Sequence, residues 1–448
     1  MTRTGPEMIL NPKDLRPLRV ALVGTRGVPA RYGGFETAIE EVGSRLVERG
    51  HEVVVYCRRL GDDRSVELDT YKGMSLVHHG AMKKRSLETL SHTALSVQHL
   101  VRHRTDAAIV FNCANAPFLP ALRAARIPVA THVDGLEWKR DKWGTAGRRY
   151  YLMAERLAVK WSDALIADAV GIQDYYLEKF DKPTDLITYG APVLDGVGSD
   201  RLAELGLTAG NYHLVVARFE PENHVDMIVE GYSASAATRP LIVVGSAPYA
   251  DEYTNRVHSL ADDRVRFLGG VWDQELLDQL YANAFTYLHG HSVGGTNPSL
   301  LRALGASTAT TAYDVNFNRE VLGVAGRYFG TATDVREQVE VSEREVAETL
   351  HLGWLSRQRA RHYDWDEVAD RYEDLALRLA GRERSADIVA AQPLVAVPDL
   401  NELDGSVPEP GYALDVLAAM ARHPAGRAVA QPGHARSSAR PAGARRSA

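Results

Sequence analysis

The chain of 448 residues carries a formal net charge of −6 at neutral pH, and its length exceeds what one hydrophobic core usually serves. No run approaches the ~18 consecutive apolar residues of a membrane span, and residues 1–17 lack the apolar core of a signal peptide. We therefore expect a cytoplasmic protein. Cys57 and Cys113 lie in apolar runs, which favours buried reduced thiols over a disulfide or a metal site.

A strand-helix-strand unit follows the N-terminal extension at 1–17. The apolar run at 18–23 predicts a buried strand, and apolar residues at helical spacing over 35–47 predict a helix that ends at Gly50. A second buried strand at 52–57 completes the unit and predicts a parallel, doubly wound sheet. Further strand-like runs of this Rossmann-like domain lie at 74–77, 107–111, 128–132 and 164–167.

The glycines after the first strand do not form a dinucleotide-binding fingerprint. Gly24-Thr25-Arg26-Gly27 lacks the G-x-G-x-x-G spacing, and the second strand ends in Arg58-Arg59, where an NAD enzyme would carry an acid. The arginine pair could meet the 2′-phosphate of NADP, which leaves an NADP-dependent oxidoreductase as an alternative. Solvated surface is the favoured interpretation of the pair.

Three polar residues follow the predicted strand at 128–132. His132, Asp134 and Glu137 lie at or just beyond its C-terminal end, which is where open parallel sheets bind ligands. A loop histidine beside a turn-forming Asp-Gly would give the same pattern. A functional and a purely structural role therefore stay equally open.

Basic and aromatic residues alternate over 138–151, which we call the basic-aromatic segment. They suit a membrane interface with anionic headgroups, or an acceptor that carries a diphosphate. A solvated face with partly buried aromatic rings is the slightly favoured alternative. The members are Trp138, Lys139, Arg140, Lys142, Trp143, Arg148, Arg149, Tyr150 and Tyr151.

A second series of apolar runs begins after a Gly/Asp-rich linker at 195–200. Two α/β domains in tandem leave a cleft between them. Arg218 follows the first of these runs, would face the cleft, and could grip a phosphate with two parallel hydrogen bonds. Pairing with Glu220 or Glu222 is the competing interpretation. The runs predict strands at 213–217, 241–244, 265–267, 285–288 and 307–311.

A glycine-rich turn joins the run at 285–288 to a helix. Asn297 suits the N-cap of that helix and Pro298 suits its first position. The first N–H groups of a helix lack internal partners and carry the positive end of the helix dipole, and Gly294 and Gly295 would let an anion approach them. We predict a phosphate site here, with an ordinary strand-to-helix connection as the alternative.

The C-terminal segment, 381–448, is rich in alanine, proline and arginine. From residue 416 onward it contains six arginines and no acidic residue. Such a composition buries too little apolar surface to offset the entropy of ordering, so we expect a disordered tail. Contact of this tail with nucleic acid or anionic lipid is the weaker interpretation, and we expect no nucleic-acid partner.

Five dispersed stretches carry a family resemblance, at 23–37, 134–140, 216–223, 289–301 and 313–321. Together they resemble the retaining, metal-independent, GT-B-fold nucleotide-sugar glycosyltransferases of family 4. The resemblance is strongest to bacterial rhamnosyltransferase-like members that build capsule or cell-wall polysaccharide. It extends over about residues 18–380.

The resemblance implies an α/β protein of the GT-B fold, in which two Rossmann-like, doubly wound domains face a cleft. It places the acceptor-side domain at 18–192 and the nucleotide-sugar-binding domain at 193–362. A C-terminal helix at 363–380 would cross back to the first domain. Asp364-Trp365-Asp366, an Asp-x-Asp sequence, opens that helix, so we read its acids as caps and surface groups rather than metal ligands.

The resemblance also implies roles for individual residues. A nucleotide-diphosphate sugar would be the donor, with no cofactor or metal, and a lipid-diphosphate-linked saccharide at the inner face of the plasma membrane would be the acceptor. The catalytic candidates are His132, Asp134 and Arg218. The donor-binding candidates are Gly33, Gly34, Arg218, Gly269, Gly270, Val271, Gly294, Gly295, Thr296, Asn297, Ser299 and Arg302. The acceptor-side candidates are Glu36, Glu137, Trp138, Lys139 and Arg140.

Arg302 departs from the family pattern, because a glutamate usually stands at this place in the helix after the glycine turn. A glutamate can accept hydrogen bonds from both ribose hydroxyls, whereas an arginine only donates. One interpretation is a preference for a deoxyribose donor such as a thymidine-diphosphate sugar. The other is a sugar-nucleotide-binding protein with weakened catalysis.

Overall fold

The computed structural model describes residues 17–30, 33–59, 67–82, 87–133, 135–140, 143–246 and 251–381. The predictions for the extension at 1–17 and the tail at 381–448 lie almost wholly outside these ranges, and so do those for Asp134 and Lys142.

The first sheet contains eight strands within the described ranges, in the order β3-β4-β2-β1-β5-β6-β7-β8. All neighbours run parallel except β3, which is antiparallel to β4. The apolar run that forms β1 is buried on both faces of the sheet, as expected for a central parallel strand. The bounds are β1 (Arg19–Val23), β2 (Glu52–Arg58), β3 (Thr70–Tyr71), β4 (Met74–His79), β5 (Ala107–Phe111), β6 (Val129–His132), β7 (Ala164–Ala167) and β8 (Asp185–Leu186).

Helices connect these strands and cover the two faces of the sheet. The first buries Ile39, Val42 and Leu46, three of the positions that the helical spacing predicts. The bounds are α1 (Gly34–Glu48), α2 (Glu88–Arg102), α3 (Leu119–Ala124), α4 (Thr145–Trp161) and α5 (Val170–Phe180).

The second sheet, within the described residues, has six parallel strands in the order β11-β10-β9-β12-β13-β14. The strand predicted at 307–311 begins two residues later, because Ser307 has a φ of 60° in the turn after the preceding helix. The edge strand β14 was not predicted, since only its last residue is buried. The bounds are β9 (His213–Val216), β10 (Leu241–Val244), β11 (Val265–Gly269), β12 (Thr286–His289), β13 (Ala309–Tyr313) and β14 (Gly326–Phe329).

Seven further helices belong to this part of the described chain, and the two sheets with their helices form the two Rossmann-like domains that the family resemblance implies. The bounds are α6 (Val225–Ser233), α7 (Asp251–Ser259), α8 (Gln274–Ala282), α9 (Pro298–Gly305), α10 (Asn316–Leu322), α11 (Ala332–Arg344) and α12 (Val346–Ala360).

We call the part of the chain with the first sheet the first half, and the part with the second sheet the second half. The last described helix, α13 (Trp365–Leu379), crosses back to the first half as predicted. Its N-cap is Asp364, whose carboxylate accepts hydrogen bonds from the backbone N–H groups of Asp366 and Glu367. The capping prediction is therefore confirmed. Arg45 of α1 pairs with Asp366 at 2.6 Å. Arg49, the C-cap residue of α1, pairs with Glu373 at 2.9 Å, so two ion pairs join the C-terminal end of α1 to α13.

The chain crosses between the halves twice, and the two crossings lie side by side. The N–H of Ala191, on the outward crossing, donates to the carbonyl of Tyr363 on the return crossing at 2.6 Å. Next to this bond the Trp365 ring lies directly on Gly190, where a Cβ would overlap it. The crossings are therefore fastened to each other.

Both cysteines are buried and free, as predicted. Burial raises the pKa of the Cys57 thiol to about 11, so it stays protonated at neutral pH. Among the described residues, no helix is at once long and apolar enough to pass through a membrane.

We predict that Trp365→Ala lowers the free energy of unfolding by about 3–5 kcal/mol, because it empties a buried aromatic site at the crossing. Urea unfolding followed by far-UV circular dichroism measures the change. The matched control is Trp272→Ala, since Trp272 is 67% exposed and its loss should cost no more than ~0.5 kcal/mol. Equal effects of the two variants would show that α13 does not depend on Trp365.

Candidate functional site

The site is built where the C-terminal edges of the two parallel sheets meet. The loop after β6 touches the loop after β12, since a Cβ on Gly135 would lie 3.0 Å from the Cα of Gly294. The loop after β7 touches it too, through a 2.5 Å hydrogen bond from the Thr296 hydroxyl to the Asp168 carbonyl. The described loops of the two sheets therefore meet at the edge where parallel sheets bind ligands, and we call the space beside them the cleft.

Two helix N-termini point into this cleft. A Cβ on Gly34, at the start of α1, would lie 2.9 Å from Cγ of Pro298 at the start of α9. Asn297 caps α9 by accepting from the Ser299 N–H at 2.9 Å, which confirms the predicted N-cap. Gly33 precedes α1 with a φ of 112° and gives it no side-chain cap. Two positive helix ends at one place favour an anion between them.

The glycine-rich loop, residues 289–297, has a constrained backbone and two buried histidines. Gly294 has a φ of 133°, which an L side chain rarely adopts. His291 shares a 2.7 Å hydrogen bond with the Asn223 side chain. Burial lowers the pKa of His289 to about 3 and that of His291 well below its usual value. Both rings are therefore neutral at physiological pH.

Arg218 lies two residues beyond β9, at the edge of the cleft. Its side chain is 39% exposed, and Nη2 lies 3.8 Å from Glu220. The backbone carbonyl of Arg218 accepts from the Asn223 side chain at 2.8 Å, which fixes the turn after β9. Arg218 therefore lies at the end of the strand, as predicted, and it also makes the contact with Glu220 that the competing interpretation requires.

His132 ends β6 and is 1% exposed. Its ring stacks on Phe111 at 5.6 Å between centroids and meets Phe35 edge-on at 5.2 Å. Burial lowers the pKa of His132 to about 3, so the imidazole is neutral. A neutral imidazole can donate one hydrogen bond and accept another. Asp134, the second catalytic candidate of this loop, lies outside the described residues.

Glu36 lies in the first turn of α1, beside Gly33. Its Oε1 accepts a hydrogen bond from the Arg26 N–H at 3.1 Å. Burial raises the pKa of Glu36, and the charges of Arg26 and Arg58 act against that rise. The side chain therefore joins the first glycine loop to the helix start.

The prediction that Arg140 belongs to an exposed basic face is wrong. Arg140 is 8% exposed and pairs with Glu137 at 2.7 Å and with Glu222 at 3.3 Å. Glu222 belongs to the second half, so this buried cluster joins the two sides of the cleft. An unpaired arginine would be costly at this depth, and the two carboxylates supply its partners.

Other members of the basic-aromatic segment divide between surface and core. Lys139 is exposed and lies 5.5 Å from the Trp138 ring centre. The Trp138 indole N–H donates to the Tyr175 hydroxyl at 3.2 Å. Tyr151 is buried, whereas Arg148 and Arg149 are exposed on α4.

Arg302 extends from α9 to α8, where it forms an ion pair with Asp278. The remaining donor candidates, Gly269, Gly270 and Val271, lie at the end of β11 and are partly or fully exposed. Trp272 follows them and is 67% exposed. The structure thus puts Gly269, Gly270 and Val271 at the end of β11, which is an edge strand of the second sheet.

The interpretation of Arg58-Arg59 as solvated surface is wrong for Arg58. Arg58 is 7% exposed and contacts Glu88 at 2.9 Å and Thr89 at 3.2 Å. Arg59 pairs with Glu67 at 2.5 Å. Because both guanidinium groups are paired with side chains of this domain, the feature that suggested NADP has a structural explanation.

Sequence reasoning missed Asp168, which follows β7. It is 2% exposed and lies against Gly295, so that a Cβ on this glycine would overlap the carboxyl group. The rule that singled out His132 at the end of β6 also applies to Asp168 at the end of β7, and it could have found this residue. Among the described residues no group of three His, Cys, Asp or Glu side chains could hold a metal ion.

The sequence matches one protein family over residues 18–192, described as Domain of unknown function DUF1972. This region contains the whole first sheet. No curated protein matches the sequence.

Solved structures resemble the fold over nearly their whole length. HepE of Anabaena, in complex with UDP and glucose, has a TM-score of 0.65 and 17% identity, covering 80% of this chain and 99% of its own. Sucrose-phosphate synthase of Thermosynechococcus elongatus has a TM-score of 0.69 and 18% identity, covering 81% and 99%. WaaG, a glycosyltransferase involved in lipopolysaccharide biosynthesis, has a TM-score of 0.62 and 16% identity, covering 80% and 99%. The chain therefore has the GT-B fold.

We predict that Arg140→Ala destabilises the protein by about 3–5 kcal/mol, because it leaves two buried carboxylates without their partner. Lys139→Ala, next to it but exposed, should change stability by no more than ~0.5 kcal/mol. Urea unfolding of both variants at equal protein concentration measures the difference. If Arg140→Ala unfolds at the same midpoint as Lys139→Ala, the buried cluster does not join the two halves.

Proposed function

We propose that this protein is a nucleotide-sugar-dependent glycosyltransferase. The observation that carries the proposal is the convergence of two helix N-termini, at Gly34 and Pro298, on one cleft of a GT-B fold. Arg218 lies at the edge of the same cleft with part of its side chain exposed. This arrangement can hold a diphosphate by backbone N–H groups and one guanidinium.

The donor we propose is a sugar joined to a nucleoside diphosphate. HepE, which shares the fold, was solved with UDP and with UDP-glucose. In this chain the exposed edge at Gly269, Gly270 and Val271 offers backbone groups to a base. The loop at 294–299 offers N–H groups to the diphosphate.

The chemistry we propose is transfer with retention and without a metal ion. Breaking the sugar-phosphate bond builds negative charge on the diphosphate, which Arg218 and the helix N–H groups stabilise. The acceptor hydroxyl then attacks from the same face, and its proton passes to an oxygen of the departing diphosphate. His132, neutral and at the end of β6, forms a hydrogen bond with a hydroxyl group of the sugar.

The acceptor we propose is a lipid-diphosphate-linked saccharide of capsule or cell-wall polysaccharide, and the sugar transferred is rhamnose. The protein would work in the cytoplasm, at the inner face of the membrane. Lys139, Arg148 and Arg149 support this placement, because they remain exposed in the basic-aromatic segment and suit anionic headgroups.

A second candidate function is a sugar-nucleotide-binding protein with weakened catalysis. The observation in its favour is the arginine at position 302, which is paired with Asp278 and cannot accept a hydrogen bond from a ribose. The two functions differ in turnover. We would incubate the protein with thymidine-, uridine- and guanosine-diphosphate sugars and a lipid-diphosphate acceptor, in the presence of EDTA, and measure nucleoside diphosphate release. Binding without release supports the second function, and release only with added magnesium or manganese contradicts the metal-free mechanism.

Arg218→Ala should lower turnover about a hundredfold or more, the effect of removing one group that stabilises transition-state charge. The melting temperature should stay unchanged, because Arg218 is partly exposed. The control is Arg344→Ala on α11, whose side chain is 64% exposed. A turnover of Arg218→Ala within twofold of the control would remove Arg218 from the site.

We expect the protein to sediment with vesicles that contain anionic lipid and to detach as salt rises, since the Debye length is ~10 Å at 0.1 M. Charge reversal of Arg148 and Arg149 to glutamate should weaken sedimentation more than reversal of Arg344 and Arg361, two exposed arginines elsewhere. Deleting residues 382–448 should weaken sedimentation less than the charge reversal of Arg148 and Arg149. Loss of sedimentation in the deletion alone would show that α4 is ordinary surface.

Thymidine diphosphate should bind more tightly than uridine or guanosine diphosphate, because Arg302 accepts no hydrogen bond from a ribose hydroxyl. Arg302→Glu combined with Asp278→Asn should favour the ribonucleotides, by a free energy of ~1.5–3 kcal/mol for one charged hydrogen bond. The second substitution removes the carboxylate that would repel the new one. Asp278→Asn alone is the control, and competition titrations give the affinities. A wild-type preference for uridine diphosphate would contradict the explanation.

A further inference from the structure

Asp168 is a buried carboxyl group that lies against the glycine-rich loop. It follows β7 and is 2% exposed, yet among the described residues its Oδ1 has no hydrogen-bond partner. A buried polar atom without a partner costs free energy, and native proteins seldom retain one without a use. A ligand that supplies the missing partner would account for it.

The carboxyl group is directed at the glycine-rich loop. Oδ1 lies so close to Gly295 that any Cβ there would overlap it. The neighbouring Thr296 fixes the position, because its hydroxyl donates to the Asp168 carbonyl at 2.5 Å. Asp168 of the first half therefore lies beside the N-terminus of α9, where the diphosphate of the proposed donor would bind.

A charged carboxylate at this position would repel a diphosphate, whereas a carboxylic acid would donate a hydrogen bond to it. We infer that Asp168 binds the donor diphosphate as a neutral acid, with the proton on Oδ1 and a phosphate oxygen as the acceptor. This inference rests on the proposed function and adds a residue to its donor site. A carboxylic acid held neutral by its surroundings is an established kind of hydrogen-bond donor.

The surroundings of Asp168 favour the neutral form. Burial raises the pKa of Asp168 to about 7, and the negative charge of Glu320 on α10 adds to the rise, while the N–H groups of Asp168 and Thr296 oppose it. Glu320 is itself engaged with the Val170 N–H at 2.9 and 3.1 Å. A bound diphosphate would raise the pKa of Asp168 further, because its charge also disfavours a carboxylate.

The three histidines at the end of β6 and at the start of the glycine-rich loop do not titrate between pH 7.5 and 9. Burial lowers the pKa of His132 and of His289 to about 3 and that of His291 well below its usual value, so these rings stay neutral. Burial raises the pKa of the Cys57 thiol, on β2, to about 11. A nucleoside diphosphate is fully ionised in this range, since its last phosphate pKa is about 6.

The test is the affinity of wild type and Asp168→Asn for thymidine and uridine diphosphate, titrated by calorimetry from pH 7.5 to 9. Wild type must take up a proton to bind, so its Kd should rise by up to ~tenfold per pH unit. In Asp168→Asn the amide donates the same hydrogen bond without a proton, and its Kd should stay constant. Buffers of different ionisation enthalpy should report uptake of about one proton by wild type at pH 8.5.

Glu320→Gln separates the two neighbouring acids. It removes a charge that raises the pKa of Asp168, so its Kd should begin to rise at a lower pH than that of wild type. Loss of the pH dependence in Glu320→Gln, with its retention in Asp168→Asn, would assign the proton to Glu320 and overturn the inference. If Asp168→Asn does not fold, proton uptake by wild type decides alone, and zero uptake overturns the inference.

The outcomes also separate this inference from the proposed function. Binding of a nucleoside diphosphate by wild type with constant Kd and no proton uptake would reject the role of Asp168 and leave the donor proposal standing. Absence of binding at every pH, in a folded wild-type protein, would contradict the donor proposal and the inference with it.

Discussion

The contact between the N-terminal ends of α1 and α9 is the constraint on which the rest of the site depends. Both ends carry partial positive charge from N–H groups that no carbonyl within the helix satisfies. Gly34 and Pro298 bring them within van der Waals distance of each other, although ends of like charge repel. The buried pairing of Arg140 with Glu222 and the hydrogen bond between Thr296 and Asp168 hold the two halves together around them. An anion in the cleft would turn the repulsion between the helix ends into a common attraction.

Sequence patterns were sufficient for the features that local interactions determine. Strands β1, β2, β5, β6 and β7 follow continuous apolar runs, since parallel strands covered on both faces need little polar surface. The caps at Asn297 and Asp364 were predicted because a cap depends on groups two or three residues away. The crossing of α13 followed from the family resemblance, and its charge pairs with α1 now show what holds it there.

The pairings of the arginines were beyond the sequence, because each joins residues that only the fold brings together. Arg140 and Arg58 looked like surface charges and Arg302 like a donor-site residue. Their partners Glu222, Glu88 and Asp278 lie on other elements. Asp168 was missed for a different reason, since a single acid after an apolar run resembles a turn residue. Its importance depends on Gly295, which faces it from the other half.

The two fastened chain crossings at Ala191 and Tyr363 have a mechanical consequence. Two halves joined by a single flexible segment can swing and twist in any direction. When two adjoining segments are bonded together, twisting about the chain axis is resisted, and the easy motion is a rotation about a line through the crossings. Displacements then grow with distance from that line, so the outer lip of the cleft travels farthest while residues near the pivot scarcely move.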